Sequence, residues 1–190
     1  MVHAAPSRAS RASSLDSAAW TRAALDVLGK QGIDGVRVEV LAKQLGVTKG
    51  SFYWHFENRD ALLAAMLSDW RRRATLTIID RIEAQDDSAL NRLRLLMQVP
   101  FQIKADGGAQ VELSIRLWAR RDPRARSALN DVDELRLRYI ARLLRELGFT
   151  AERAEARAIF AYAFQRVATS LIAQGDSAAI DRCITELITP

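Results

Sequence analysis

From Leu15 onward, apolar residues recur three and four positions apart, and no stretch alternates apolar with polar as a half-buried strand requires. That periodicity admits helices and little else. Trp20, Ala24, Val27 and Leu28 mark one face of a first helix, closed by Gly32 and Gly35. Val38, Leu41, Ala42 and Leu45 follow the i, i+3, i+4, i+7 spacing of a short helix that Gly46 stops. Thr48 is placed to cap a second short segment, KGSFYWHF, by accepting a backbone N–H. Asn58 caps a third helix, with Asp60 in its first turn and Leu62, Leu63, Met66, Leu67 and Trp70 on one face, running to about Ala84. A helix begins near Ser88, and Pro100 is expected to kink or break it. Gly107-Gly108 separates that helix from VELSIRLWARR, which ends before Asp122-Pro123. Leu129 to Leu147 form the next, Thr150 opens one reaching about Gln174, and Ala178 to Ile188 form the last. The expected fold class is all-α, about nine helices without a sheet.

Composition excludes several function classes. The chain has 190 residues, 49% hydrophobic and 27% charged, too apolar for a disordered protein. No apolar run approaches the ~18–20 residues that span a bilayer, so no membrane partner is expected. The first 14 residues, MVHAAPSRASRASS, have no apolar stretch behind their arginines, so they read as a disordered basic arm rather than a secretory signal. These features suggest a soluble, cytoplasmic protein. Cys183 is the single cysteine and His3 and His55 the only histidines, which leaves no disulfide, no cysteine-clustered metal site and almost no triad chemistry. No cofactor or metal is expected. An enzyme built on this chain would have to use carboxylates, for example Glu112 with Glu134, and no spacing marks such a pair; the chain is expected not to be an enzyme.

Charge is unevenly spread. Residues 1–73 carry 11 Lys and Arg against 7 Asp and Glu, whereas residues 74–190 carry 17 against 16. An excess confined to the N-terminal part suggests that this part meets a polyanion. The two short helices separated by Gly46-Val47-Thr48 form a helix-turn-helix pattern there. The second is too short to add much core, yet it is dense in groups that grip DNA. Lys49 can donate to guanine O6 and N7 or to a phosphate, and Ser51 can pair with a base edge or the backbone. Tyr53 brings a hydroxyl for phosphate, Trp54 and His55 a flat face and a ring N–H, and Gly50 a close backbone approach. Phe52 and Phe56, four apart, are expected to anchor the segment inward.

The stretch VEVLAKQLGVTKGSFYWHFENRDALLAAML, Val38 to Leu67, resembles the DNA-binding signature of TetR-family transcriptional regulators. The resemblance covers about thirty residues without a gap and includes the Asn58-Arg59-Asp60 tail that generic helix-turn-helix motifs lack. It implies an N-terminal three-helix DNA-binding domain over residues 15–60 and a C-terminal helical ligand-binding and dimerisation domain over 61–190, after the arm at 1–14. Carried over position by position, it puts Thr48 at the start of the recognition helix and Lys49 and Ser51 at base or phosphate contacts. It puts Tyr53, His55 and Arg59 at backbone phosphates. Two positions depart from the pattern. Arg37 stands where members have a capping Thr or Ser, and Glu39 stands where some have a basic or polar DNA-facing residue. A protein whose DNA-binding head has decayed is therefore an open alternative.

The resemblance also implies a small-molecule effector, a homodimer, a palindromic double-stranded DNA operator and, as the family's usual mode, repression. The residues are compatible. Phe160, Phe164, Val167, Leu171, Ile180, Ile184 and Leu187 give the last two helices more apolar surface than one side of a monomer helix uses, which suggests a dimer interface. Met97, Phe101, Trp118, Tyr139, Tyr162 and Gln165 are candidates for a ligand pocket, being apolar or aromatic with a few polar handles.

Overall fold

The computed structural model describes residues 16–85, 88–105, 107–172 and 176–189, with backbone only at 103–105. The arm expected at residues 1–14 lies outside them. Among the described residues there are nine helices and no strand. They are α1 (Ser17–Gln31), α2 (Val38–Leu45), α3 (Lys49–Phe52), α4 (Arg59–Arg71, continuing through a π-turn at Arg72–Leu76 into Thr77–Glu83), α5 (Ala89–Ala105), α6 (Gly108–Ala119), α7 (Pro123–Glu146), α8 (Ala151–Leu171) and α9 (Ser177–Ile188).

Their ends are set by short-range chemistry. Asp16, Asn58, Thr150 and Asp176 each accept from the backbone N–H three residues on, which satisfies a donor that a helix start leaves unpaired. At the other end, α2 closes with Gly46 in the left-handed region at φ +69°. There the Gly46 N–H donates to Lys43 O and the Val47 N–H to Ala42 O. α7 closes the same way at Gly148, with φ +95°. Only a residue without Cβ adopts this geometry at no strain, so glycine both stops the helix and aims the chain out of it.

Pro100 does not break α5, which runs through it. Proline has no N–H to give the carbonyl four residues back, and that carbonyl belongs to Leu96. The buried Gln165 side chain supplies the missing donor, its Nε2 lying 2.7 Å from Leu96 O. The expected break is thus repaired from a neighbouring helix.

The described residues form two compact units. One holds the residues up to Trp70 together with Gln110–Ala128; the other holds Arg71–Ala109 and Leu129 onward. In the first, Trp20, Leu28, Leu41, Phe52, Leu62, Leu63 and Met66 are fully buried, and Ile115 and Ala125 join that interior. A Cβ on Gly29 would stand 3.2 Å from Val111 Cγ2, so the backbones of α1 and α6 approach closely here. The second unit is built on Ile82, Leu93, Met97, Ile140, Leu143, Leu144, Ala158, Ala161 and Ile184. Arg136 donates to the Ala74 carbonyl, within the π-turn, at 3.0 Å.

Candidate nucleic-acid interface

The second short helix owes its pose to its aromatics. Phe52 is fully buried and meets Trp20 edge-on at 5.4 Å, while Phe56 stacks on Phe52 at 5.5 Å. With both phenylalanines used as inward anchors, the residues between them are pushed out. Trp54 is 87% exposed and Tyr53 56% exposed, unusual for rings of that size unless they have a partner. Lys49, one turn before Tyr53, is exposed on the same short helix, as are Thr48 and Gly50, and His55 is half-buried. Arg37 is exposed too.

Four residues take positions that the sequence does not disclose. Ser51 is buried at 4% exposure, and its Oγ has no hydrogen-bond partner among the described residues. It lies beside Phe52 on the inward side, so it is not displayed with Lys49 and Tyr53. Thr48 stands at the N-cap of α3 in extended conformation, but its hydroxyl makes no capping hydrogen bond. The cap expected there is absent. Arg37 is the N-cap of α2 and likewise makes no side-chain capping bond, as a side chain without an acceptor must. Arg59 donates from Nε to Val36 O at 2.8 Å and from Nη2 to Ile33 O at 3.1 Å. It thereby pins the start of α4 to the loop before α2.

Glu39 and Lys49 meet across the turn. Their Oε1 and Nζ are 2.5 Å apart, with the two side chains 63% and 53% exposed. The hydrogen bond holds the Glu39 carboxyl below the usual carboxylate range and Lys49 above the usual ammonium range. Ten positions separate them in sequence, and only the glycine turn brings them together.

Five of the six pocket candidates, Met97, Phe101, Tyr139, Tyr162 and Gln165, belong to the second unit. A groove of about 600 Å³ is lined by Met97, Arg157, Phe160, Ala161, Phe164, Arg182, Cys183, Glu186 and Leu187. Met97 is the one pocket candidate on its wall. Phe101 is half-buried against the core. The polar handles of three others are engaged: Tyr139 donates to Glu83 at 2.7 Å, Tyr162 to Asp133 at 2.5 Å and Gln165 to Leu96 O. Trp118 belongs to the first unit, where its Nε1 donates to Asp122 at 3.1 Å.

The dimer candidates divide. Phe160, Val167 and Leu171 are exposed at 71%, 46% and 77%, and Phe164 and Leu187 are half-buried. Ile180 and Ile184, one turn apart on α9, face their own core. Ile159, which spacing alone did not single out, is 60% exposed beside Phe160. The carboxylates Glu112 and Glu134 lie in different units, and each pairs with an arginine one turn on, Arg116 and Arg138.

Comparison with known proteins agrees with the head. Residues 21–66 match the family described as bacterial regulatory proteins, tetR family. Over 45 residues the chain is 51% identical to the tetracycline repressor protein class A from transposon 1721 of Escherichia coli, a stretch that covers 24% of this chain and 21% of that protein. The match thus spans about a fifth of the length of such curated relatives. Solved structures share the fold over far more. A TetR-family member from Streptomyces coelicolor A3 aligns at TM-score 0.64 and 21% identity, covering 97% of this chain and 100% of that one. FadR from Bacillus subtilis, solved with stearoyl-CoA, aligns at TM-score 0.67 and 19% identity, covering 90% and 97%. The curated relatives are named as tetracycline repressors and helix-turn-helix transcriptional regulators. Residues 21–66 thus carry a helix-turn-helix domain of the tetR type, and the helical fold is shared along nearly the whole chain with solved TetR-family structures.

Proposed function

We propose that this chain works in the cytoplasm as a homodimeric, sequence-specific repressor that a small-molecule effector releases from a palindromic operator. The observation that carries the reading is the face of α3. Two buried phenylalanines hold a segment whose lysine, tyrosine and tryptophan stand in solvent, the composition of a major-groove reader. Lys49, Tyr53, Trp54 and His55 are the proposed DNA contacts of this segment, with Thr48 and Gly50 allowing close backbone approach. Arg37 and Arg59 flank it as phosphate contacts. Ser51 supports the segment from within rather than touching DNA.

Ile159, Phe160, Val167 and Leu171 give α8 an apolar outer face, and a second copy is the occupant that symmetry supplies. Two recognition helices then read half-sites about one helical turn, ~34–36 Å, apart. FadR from Bacillus subtilis was solved with stearoyl-CoA, and we assign the effector of this chain to its second unit. A ligand that prefers one conformation of that unit by about 1–3 kcal/mol would change operator occupancy several- to a hundredfold, acting through α4.

Fluorescence-anisotropy titration of the full chain against its own upstream DNA tests this. The expected result is sequence preference together with a steep loss of affinity as salt rises. Binding that shows neither would overturn the regulator reading.

A further inference from the structure

The Glu39–Lys49 pair asks for a reason. An exposed ion pair of this kind adds little to stability, so folding alone gives it little purpose. On a surface that approaches DNA, a carboxylate is a liability, because the phosphates repel it and it neutralises a cation that would otherwise release counterions. The backbone that carries the pair is fixed. Glu39 lies in the first turn of α2, Lys49 opens α3, and between them the two hydrogen bonds around Gly46 fix the turn. The result is a donor and an acceptor 2.5 Å apart, both exposed.

That juxtaposition has a complement in the major groove. A G·C pair presents two adjacent acceptors, guanine N7 and O6, followed by a donor, cytosine N4. An A·T pair presents acceptor, donor, acceptor and then a methyl group. Lys49 Nζ has three N–H groups; one is spent on Glu39 and two are left for the guanine acceptors. The carboxylate of Glu39 also accepts from its own backbone N–H, and its two oxygens have lone pairs left to accept from cytosine N4. Resting on the regulator reading above, we infer that Glu39 and Lys49 act as one reading unit for a G·C pair in each half-site of the operator. Glu39 then serves twice: it orients the lysine and it rejects the pairs that offer no amino group next to the guanine acceptors.

Selection of binding sites from a randomised duplex pool with the full chain, followed by anisotropy titration of Glu39→Ala, Glu39→Gln and Lys49→Ala, tests the inference. Wild type is expected to enrich one G·C pair per half-site and to lose about tenfold in affinity when that pair becomes A·T. Glu39→Ala is expected to bind the two duplexes within about twofold and to bind unrelated DNA more tightly. Glu39→Gln, which keeps an acceptor oxygen, is expected to retain part of the preference. Lys49→Ala is expected to lose it. Circular dichroism melting checks that each variant is folded. If Glu39→Ala keeps every base preference and merely binds all sequences better, the pair is a plain surface ion pair and the inference falls while the regulator reading stands. Loss of an A·T preference in place of a G·C preference also overturns it. A wild-type chain that enriches no sequence overturns the regulator reading, and the inference with it.

Discussion

The guanidinium of Arg59 carries five N–H groups, and two of them are committed to the carbonyls of Ile33 and Val36. The others are available to a phosphate, so one side chain can hold the loop before α2 and meet DNA. Arg59→Ala is expected to cost about 1–2 kcal/mol in unfolding free energy, because two carbonyls lose a charged donor at a partly solvated site. It should also weaken binding to all sequences alike and flatten the salt dependence by about one charge. Arg59→Lys keeps the charge without the fork, so it should restore the salt slope more fully than the stability. Urea unfolding and salt-dependent titrations separate the two effects. Arg59 and Ser51 illustrate different limits of reading residues from sequence. The charge of Arg59 was legible, its bond to the carbonyls was not, since those lie 23 and 26 positions away. Ser51 was read as DNA-facing because a helix of four residues is too short for periodicity to define its faces, and its small side chain fits inside.

At the scale of the element, Pro100 in α5 is the instructive case. A proline inside a helix normally interrupts it at a cost of about 3 kcal/mol, and the sequence carries no sign of rescue. The rescue comes from α8, where Gln165 donates to the orphaned Leu96 carbonyl inside the core. Gln165→Leu is expected to destabilise the protein by about 1–3 kcal/mol, since a buried acceptor loses its partner. In a Pro100→Ala background, residue 100 regains the N–H that Leu96 O needs, and the same change should cost clearly less. A double-mutant cycle read by thermal or urea unfolding measures that coupling. Equal costs in both backgrounds would show that the amide does not replace the missing N–H. The other elements were legible because their signals are local. Asn58 and Thr150 cap as expected, and Gly46 and Gly148 end α2 and α7 through hydrogen bonds within a few residues. On α9 the apolar spacing was right but its address was not, because spacing cannot tell whether Ile180 and Ile184 face their own core or a second copy.

For the whole molecule, the exposed strip of α8 is the feature that a single chain leaves unexplained. Phe160 and Leu171 are 71% and 77% exposed although both are large and apolar. If a second copy covers them, Phe160→Glu with Leu171→Glu should shift the mass seen by size-exclusion chromatography with light scattering from dimer to monomer. Operator affinity should fall with it, because each half-site is then bound alone. A wild-type chain that is monomeric at micromolar concentration would refute the dimer.

Sequence by itself determined the class of the fold and the place of the helix-turn-helix, because helical periodicity, caps and glycine stops act over three to five residues, and the motif is a contiguous run from Val38 to Leu67. Tertiary structure alone decided which polar groups are spent indoors and which chain segments share a core. Gln110–Ala128 fold with the N-terminal unit, Glu39 meets Lys49, and Gln165 meets Leu96. Each of these depends on groups ten to about ninety positions apart, whose pairing is set by packing and by the cost of leaving a buried polar group unmet, and neither has a signature in a local pattern.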